Sequence, residues 1–238
     1  MNRKHAFSRG LIAGIPICLG YISVSFAFGI YSVGCGLTVL EVLLISMTCV
    51  TSAGQQAAVP IITGGGGLME LAVSQLVINM RYSLMSVSLS QKLDSRVRLW
   101  DRFVIAFVNT DEVFAVAASQ RGSVSKWFLY GLMITPWAGW ALGTLLGAAA
   151  GNVLPELVTS SLGVAIYGMF IAIVVPEAKK SRPTAICVGI AIFLSCLFYF
   201  VPVLSQISTG FTVIICAVTA SAIMAWLKPV EQEVEENA

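Results

Sequence analysis

Long apolar stretches constrain this sequence more than any other feature. A helix needs about 20 apolar residues to cross a bilayer, and six stretches come close to that length: 11–33, 68–91, 127–151, 160–176, 184–204 and 210–227. Of the 238 residues, 57% are hydrophobic and only 11% are charged, and the charged residues concentrate in short connectors. Because backbone groups in lipid must be hydrogen-bonded internally, and no barrel-type alternation of polar and apolar residues is present, the pattern predicts an all-α, polytopic membrane protein.

Two further apolar segments, 38–63 and 103–120, are interrupted by polar residues. The first is interrupted at 51–56 (Thr-Ser-Ala-Gly-Gln-Gln), and the second at 109–112 (Asn-Thr-Asp-Glu). Irregular backbone at membrane depth is tolerated where it is buried in protein or lines a cavity. We therefore expect about six full crossings plus two broken or re-entrant segments, all in one transmembrane domain spanning 1–238, with short tails at 1–10 and 229–238.

The basic residues separate this topology from the alternative of eight crossings. Basic connector residues belong on the cytoplasmic side. Eight simple crossings would place the connector at 92–102, with four basic residues, outside the cell. With two re-entrant segments and both termini cytoplasmic, all thirteen basic residues of the tails and connectors lie inside: Arg3, Lys4, Arg9, Lys92, Arg96, Arg98, Arg102, Arg121, Lys126, Lys179, Lys180, Arg182 and Lys228.

One arginine, Arg81, lies instead within the apolar stretch 68–91. A central arginine in a membrane helix costs about 2.5 to 3.5 kcal/mol on insertion scales, and such residues face a bundle interior or a watery cavity. Asp111 and Glu112, in the second broken segment, are the natural partners. The sequence leaves open whether these acids hold Arg81 permanently or yield it to a substrate.

Polar residues at the three interruptions of the apolar pattern form the candidate site. Broken helices at the middle of the membrane present free backbone groups to solutes in secondary transporters. An arginine, acids and amides suit a zwitterionic amino acid. The candidate substrate-binding residues are Gln55, Gln56, Asn79, Arg81, Tyr82, Asn109 and Thr110, and the candidates for proton coupling or charge pairing are Asp111 and Glu112. A channel or a membrane sensor subunit for a small solute is the alternative.

The sequence contains few of the residues that an enzyme active site or a metal site requires. The one histidine, His5, is in the amino-terminal tail, the six cysteines show no CxxC spacing, and one aspartate lies within an apolar segment. We expect no enzyme, no metal and no cofactor.

A glycine repeat and three glutamates lead to two further expectations. Glycines recur every fourth residue from Gly139 to Gly151, which forms a groove on a helix, either for packing within the chain or for docking a second subunit. Glu41, Glu70 and Glu177 lie near the ends of apolar stretches, where we expect them to be solvated.

Four motifs in order make the chain resemble the AzlC family, the large subunit of the AzlC/AzlD-type branched-chain amino acid exporter. They are Pro16-x3-Gly20-Tyr21 with Phe26-x2-Gly29, the turn from Ser52 to Gln56, Asn79-x-Arg81-Tyr82, and Thr110-Asp111-Glu112 with Phe114. The resemblance implies a secondary transporter of the cell inner membrane that exports valine, leucine and isoleucine, with methionine as a further candidate, and a small AzlD-type membrane subunit as its partner. The family often has histidine where this chain has Tyr82.

Overall fold

The computed structural model describes residues 3–151, 153, 171, 174–176 and 178–227, and most of them are helical. The elements are α1 (Arg3–Gly34), α2 (Val39–Thr48), α3 (Ser52–Thr63), α4 (Leu68–Gln91), α5 (Leu99–Phe107), α6 (Asp111–Ala118), α7 (Lys126–Gly151), α8 (Arg182–Phe200), a 3-10 turn (Leu204–Gln206) and α9 (Thr209–Leu227). Glu177, the tail at 229–238 and most of the predicted span 160–176 lie outside the described residues.

Helix lengths confirm a helical membrane protein. Among the described residues, α1, α7, α8 and α9 are long and apolar enough to cross a membrane. At 24 residues, α4 is about 36 Å long, which is long enough to cross the hydrocarbon core. These five helices match five of the six predicted crossings, and within the described part of the chain no strand is present.

The glycine groove of α7 is filled by α1, which runs parallel to it. A Cβ added at Gly139 would lie 3.0 Å from the carbonyl oxygen of Cys18, and one added at Gly151 would lie 3.3 Å from the Cα of Ile30. Contacts therefore advance along both helices together. Small residues let the two backbones approach closely. The groove serves packing within the chain, so the expectation that it could dock a second subunit is wrong.

Helices α2 and α3 form a hairpin that reaches the middle of α7 and returns. The Trp137 indole donates to the Met47 carbonyl at the end of α2 (3.1 Å), and the Trp140 indole donates to Gln55 Oε1 in the first turn of α3 (3.2 Å). The break falls at residues 49–51. The polar interruption at 51–56 overlaps this break only at Thr51, the N-cap of α3; Gln55 and Gln56 are helical.

Helices α5 and α6 form the second hairpin, and both of its outer ends meet the amino-terminal end of α7. At the start of α5, Asp101 accepts a hydrogen bond from Tyr130 and pairs with Lys126 at 2.9 Å. At the end of α6, the Ala118 carbonyl accepts from Lys92, whose own carbonyl accepts from Val124 N at 2.8 Å. The chain enters and returns on one side, as expected for a re-entrant segment, with its break at residues 108–110.

The two hairpins enter the fold from opposite ends of α7. Helix α4 runs antiparallel to α3: Gly54, near the start of α3, packs beside Gln75 and Asn79, whereas Ile61, near its end, and Glu70, at the start of α4, both lie against Gly210. Its carboxyl end reaches the amino-terminal end of α7. Helices α1–α3 and α4–α6 thus repeat one order, a long helix followed by a broken hairpin, in inverted orientation. Inverted repeats with broken helices at mid-depth are a recurrent architecture of secondary transporters.

Glu70 is buried, contrary to the expectation that it is solvated. Its side chain accepts a hydrogen bond from Gly210 N at 2.9 Å, so it caps the amino terminus of α9, which the sequence places 140 residues away. Glu41 is exposed as expected and forms a capping box with Thr38 at the start of α2.

Candidate functional site

The two helix breaks meet at a cavity of about 900 Å³. The amino-terminal ends of α3 and α6 reach this cavity through Ser52 and Asp111. The first N–H groups of a helix have no intrahelical acceptor, and they carry the positive end of the helix dipole. The wall is formed by α1, the first break with α3, α4, the start of α6 and α7: Pro16, Ile17, Gly20, Tyr21, Val24, Val50, Ser52, Ala53, Arg81, Tyr82, Thr110, Asp111, Glu112 and Trp140.

An ion pair between α4 and α6 lies in this wall. Arg81 Nη1 is 2.7 Å from Asp111 Oδ2, and the two side chains are 54% and 46% exposed. The guanidinium also donates to the Tyr82 hydroxyl (3.2 Å) and lies 4.9 Å from the centre of that ring. Of the two acids that the sequence offered to Arg81, the structure therefore pairs Asp111. Because both charges face open space, a solute in the cavity can reach them.

The second acid, Glu112, has a different partner. The Tyr21 hydroxyl lies 2.5 Å from Glu112 Oε2 and 2.7 Å from Thr110 Oγ1. The edge of the Tyr21 ring meets Trp140 with 4.9 Å between ring centroids. A phenol has one proton, so Tyr21 donates to one of its two neighbours and accepts from the other if that neighbour carries a proton. These hydrogen bonds join α1 to the start of α6 at the cavity wall.

The predicted amides lie behind the cavity wall. Gln55 and Gln56 are buried, and Gln55 holds the Trp140 indole. Asn79 donates to Gln75 Oε1 (3.2 Å), and Asn109 donates to Ser86 Oγ (3.0 Å). Each of these four amides keeps one buried polar atom without a hydrogen-bond partner: Gln55 Nε2, Gln56 Nε2, Asn79 Oδ1 and Asn109 Oδ1. The structure thus brings Arg81, Tyr82, Thr110, Asp111 and Glu112 together at the cavity, and it places the amides one layer away.

Tyr21 and Trp140 complete the site, and sequence reasoning did not assign either to it. Tyr21 belongs to the motif that carries the family resemblance, which was the available signal. Trp140 lies among the glycines of α7, and the sequence carried no signal for it, since a tryptophan in an apolar stretch is an ordinary core residue. Among the described residues, no group of three or more His, Cys, Asp or Glu side chains could hold a metal ion.

Inverted broken hairpins around a half-exposed ion pair define a polytopic membrane protein with an internal solute cavity. Residues 16–154 match the family described as AzlC protein, and the chain belongs to that family. The resemblance found in the motifs is thereby confirmed.

Curated relatives match over most of their length. The chain is 30% identical to an uncharacterized membrane protein of Archaeoglobus fulgidus, over 82% of this chain and 86% of that protein. It is 28% identical to the inner membrane protein YgaZ of Escherichia coli, over 78% of each. It is 21% identical to the branched-chain amino acid transport protein AzlC of Bacillus subtilis, over 84% of this chain and 81% of that protein. No solved structure matches the chain. The family match and the name of the B. subtilis relative support a transport role.

Proposed function

We propose that this chain is the large subunit of a proton-coupled secondary transporter that exports branched-chain amino acids such as valine, leucine and isoleucine, with methionine as a further candidate. The observation that carries the proposal is the Arg81–Asp111 pair, half-exposed on a cavity between the ends of two half-helices. The printed name of the B. subtilis relative supports the substrate class.

The proposed mode of binding replaces one ion pair by two. Arg81 receives the substrate carboxylate, and the free N–H groups at the start of α3 assist it. Asp111 receives the substrate ammonium. Tyr82 fixes the guanidinium through its hydroxyl and its ring. The apolar side of the wall, formed by Pro16, Val24 and other residues of α1 and α7, takes the aliphatic side chain.

We assign proton coupling to Glu112. Its partner Tyr21 belongs to α1, whereas Glu112 belongs to the re-entrant hairpin, so a change in its protonation alters a contact between two elements that line the cavity. Proton relays in transporters are built from such intramembrane carboxyl groups.

We place the protein in the inner membrane with both termini cytoplasmic. The Arg3 guanidinium lies over the Trp127 ring at 5.8 Å, so the amino-terminal tail is at the same end of the fold as the connectors that hold Lys92 and Lys126. Basic residues collected at one end belong on the cytoplasmic side.

Counterflow of radiolabelled valine into vesicles of native membrane, with and without a pH gradient, tests the proposal. Arg81→Ala and Asp111→Asn should each abolish exchange. Arg96→Ala is the matched control, because Arg96 is an exposed connector residue outside the cavity, and it should leave exchange unchanged. Normal exchange in both site variants would refute the assigned site. Flux that neither saturates nor shows counterflow would indicate the alternative, a channel.

We further propose a small AzlD-type membrane subunit as partner. Since α1 fills the glycine groove of α7, that subunit must dock elsewhere. Full valine flux by the purified chain alone in liposomes would contradict an obligate partner.

A further inference from the structure

The glycines of α1 differ in what a side chain would meet. At Gly10, Gly14 and Gly29, an added Cβ would overlap backbone atoms of α7, so packing requires glycine there. Gly34 is the last residue of the helix. Gly20 lies in the helix interior, and an added Cβ would meet no heavy atom of another described element within 4 Å. Packing against the described helices therefore does not explain the glycine at position 20.

Glycine in a helix interior costs stability relative to alanine, since it loses more backbone freedom on folding. At Gly20 no close contact with a described helix compensates for that loss. Instead the residue lines the cavity, one turn after Pro16 and on the same face of α1. The missing side chain leaves open space in the part of the wall that also contains Ile17 and Val24.

The wall of the cavity has two chemically distinct parts. Helices α4 and α6 contribute the charged groups Arg81, Asp111 and Glu112, whereas α1 contributes mainly apolar surface around Gly20. A zwitterion whose charges are held by Arg81 and Asp111 points its side chain away from them, toward an apolar wall to which α1 contributes more residues than any other element. The length of side chain that fits then depends on what projects from α1.

We propose that Gly20 sets the size of the solute side chain that the cavity accepts. This inference rests on the proposed function, because it takes the cavity to be the amino-acid site. A methyl group at position 20 occupies space that a leucine side chain needs, while the shorter valine is less affected.

Exchange of leucine and of valine, measured separately in native-membrane vesicles, tests the inference in Gly20→Ala and Gly20→Val variants. One methylene in an apolar pocket changes discrimination by about 10- to 200-fold. We expect Gly20→Ala to lower the leucine-to-valine ratio of exchange about 10-fold, and Gly20→Val to lower it further. Gly34→Ala is the matched control: it adds the same methyl group to the same helix, also in open space but outside the cavity, and should leave the ratio unchanged.

The possible outcomes separate this inference from the proposed function. If both Gly20 variants keep the wild-type ratio while Arg81→Ala abolishes exchange, this inference is wrong and the proposed function stands. If leucine and valine exchange fall equally in Gly20→Ala, together with its melting temperature, Gly20 has a structural role and the inference is again wrong. If wild-type vesicles exchange neither amino acid, the proposed function fails and the inference fails with it.

Discussion

The contact between α1 and α7 provides the sharpest test of the fold, through the substitution Gly29→Ala. The new Cβ would lie 2.5 Å from Ala148 N and in overlap with the Thr144 carbonyl oxygen. Both atoms are backbone, so no side-chain rotation relieves the overlap, and the two helices must separate. That separation would disturb packing along the rest of the glycine groove.

The magnitude follows from two opposing effects. Overpacking a well-packed interior costs about 1–3 kcal/mol, and a rigid backbone contact belongs at the upper end of that range. Alanine in a helix is more favourable than glycine by about 0.5–1 kcal/mol, which partly offsets this cost. We therefore expect a net loss of about 2 kcal/mol in the free energy of unfolding. For a chain of this size, that loss lowers the melting temperature by roughly 4–8 °C.

Thermal unfolding of the full chain in detergent, followed by tryptophan fluorescence, measures the effect. Gly34→Ala is the control, because its Cβ meets no other described residue within 4 Å, and it should melt at or slightly above the wild-type temperature. If Gly29→Ala melts as high as Gly34→Ala, the parallel close approach of α1 and α7 is wrong.

Three further predictions concern the connectors and the capping contacts. Hydrogen bonds from Tyr130, Lys126 and Arg98 N lower the pKa of Asp101 to about 2. The ionised Asp101 carboxylate therefore stabilises the fold fully above its ordinary pKa near 3.8, and this stabilisation is lost as pH falls toward 2. The melting temperatures of wild type and Asp101→Asn should accordingly differ at pH 5 and converge near pH 2, and a constant difference would contradict this. Ser95→Cys, in a chain whose native cysteines are replaced, should react with an impermeant thiol reagent only from the cytoplasmic side; labelling from outside would refute the re-entrant topology. Glu70→Ala removes the cap of α9 and should lower the free energy of unfolding by about 1–2 kcal/mol, measured by denaturant titration, with the exposed Glu41→Ala costing less.

The sequence located the broken hairpins because polar residues interrupt otherwise apolar segments. It misplaced the first break by several residues, since Gln55 and Gln56 look like loop residues. In the fold they are buried in the first turn and a half of α3, where Trp140 from a distant helix donates to Gln55. A polar side chain can thus continue a membrane helix when another helix supplies its hydrogen bond, and that partner cannot be read from neighbouring residues.

Pairings between distant elements could not be predicted. Asp111 and Glu112 are adjacent in sequence but point about 100° apart on a helix, so the rotation of α6 decides which acid meets Arg81. In the same way, the four-residue glycine period predicted a groove on α7, but not that α1 would fill it. Glu70 looked solvated at the end of an apolar stretch, until the fold placed the start of α9 against it.

The exposure of the central ion pair bears on whether Arg81 is held permanently or released. A fully buried pair costs about 3–5 kcal/mol to break by removal of one partner, because a charge is left uncompensated in a low dielectric. The Arg81 and Asp111 side chains are about half exposed, and pairs in contact with water contribute about 0–1 kcal/mol. A zwitterion that offers each residue an opposite charge therefore meets little resistance from the pair itself. Such a pair can therefore give way to a zwitterionic solute, and the counterflow assay measures whether it does.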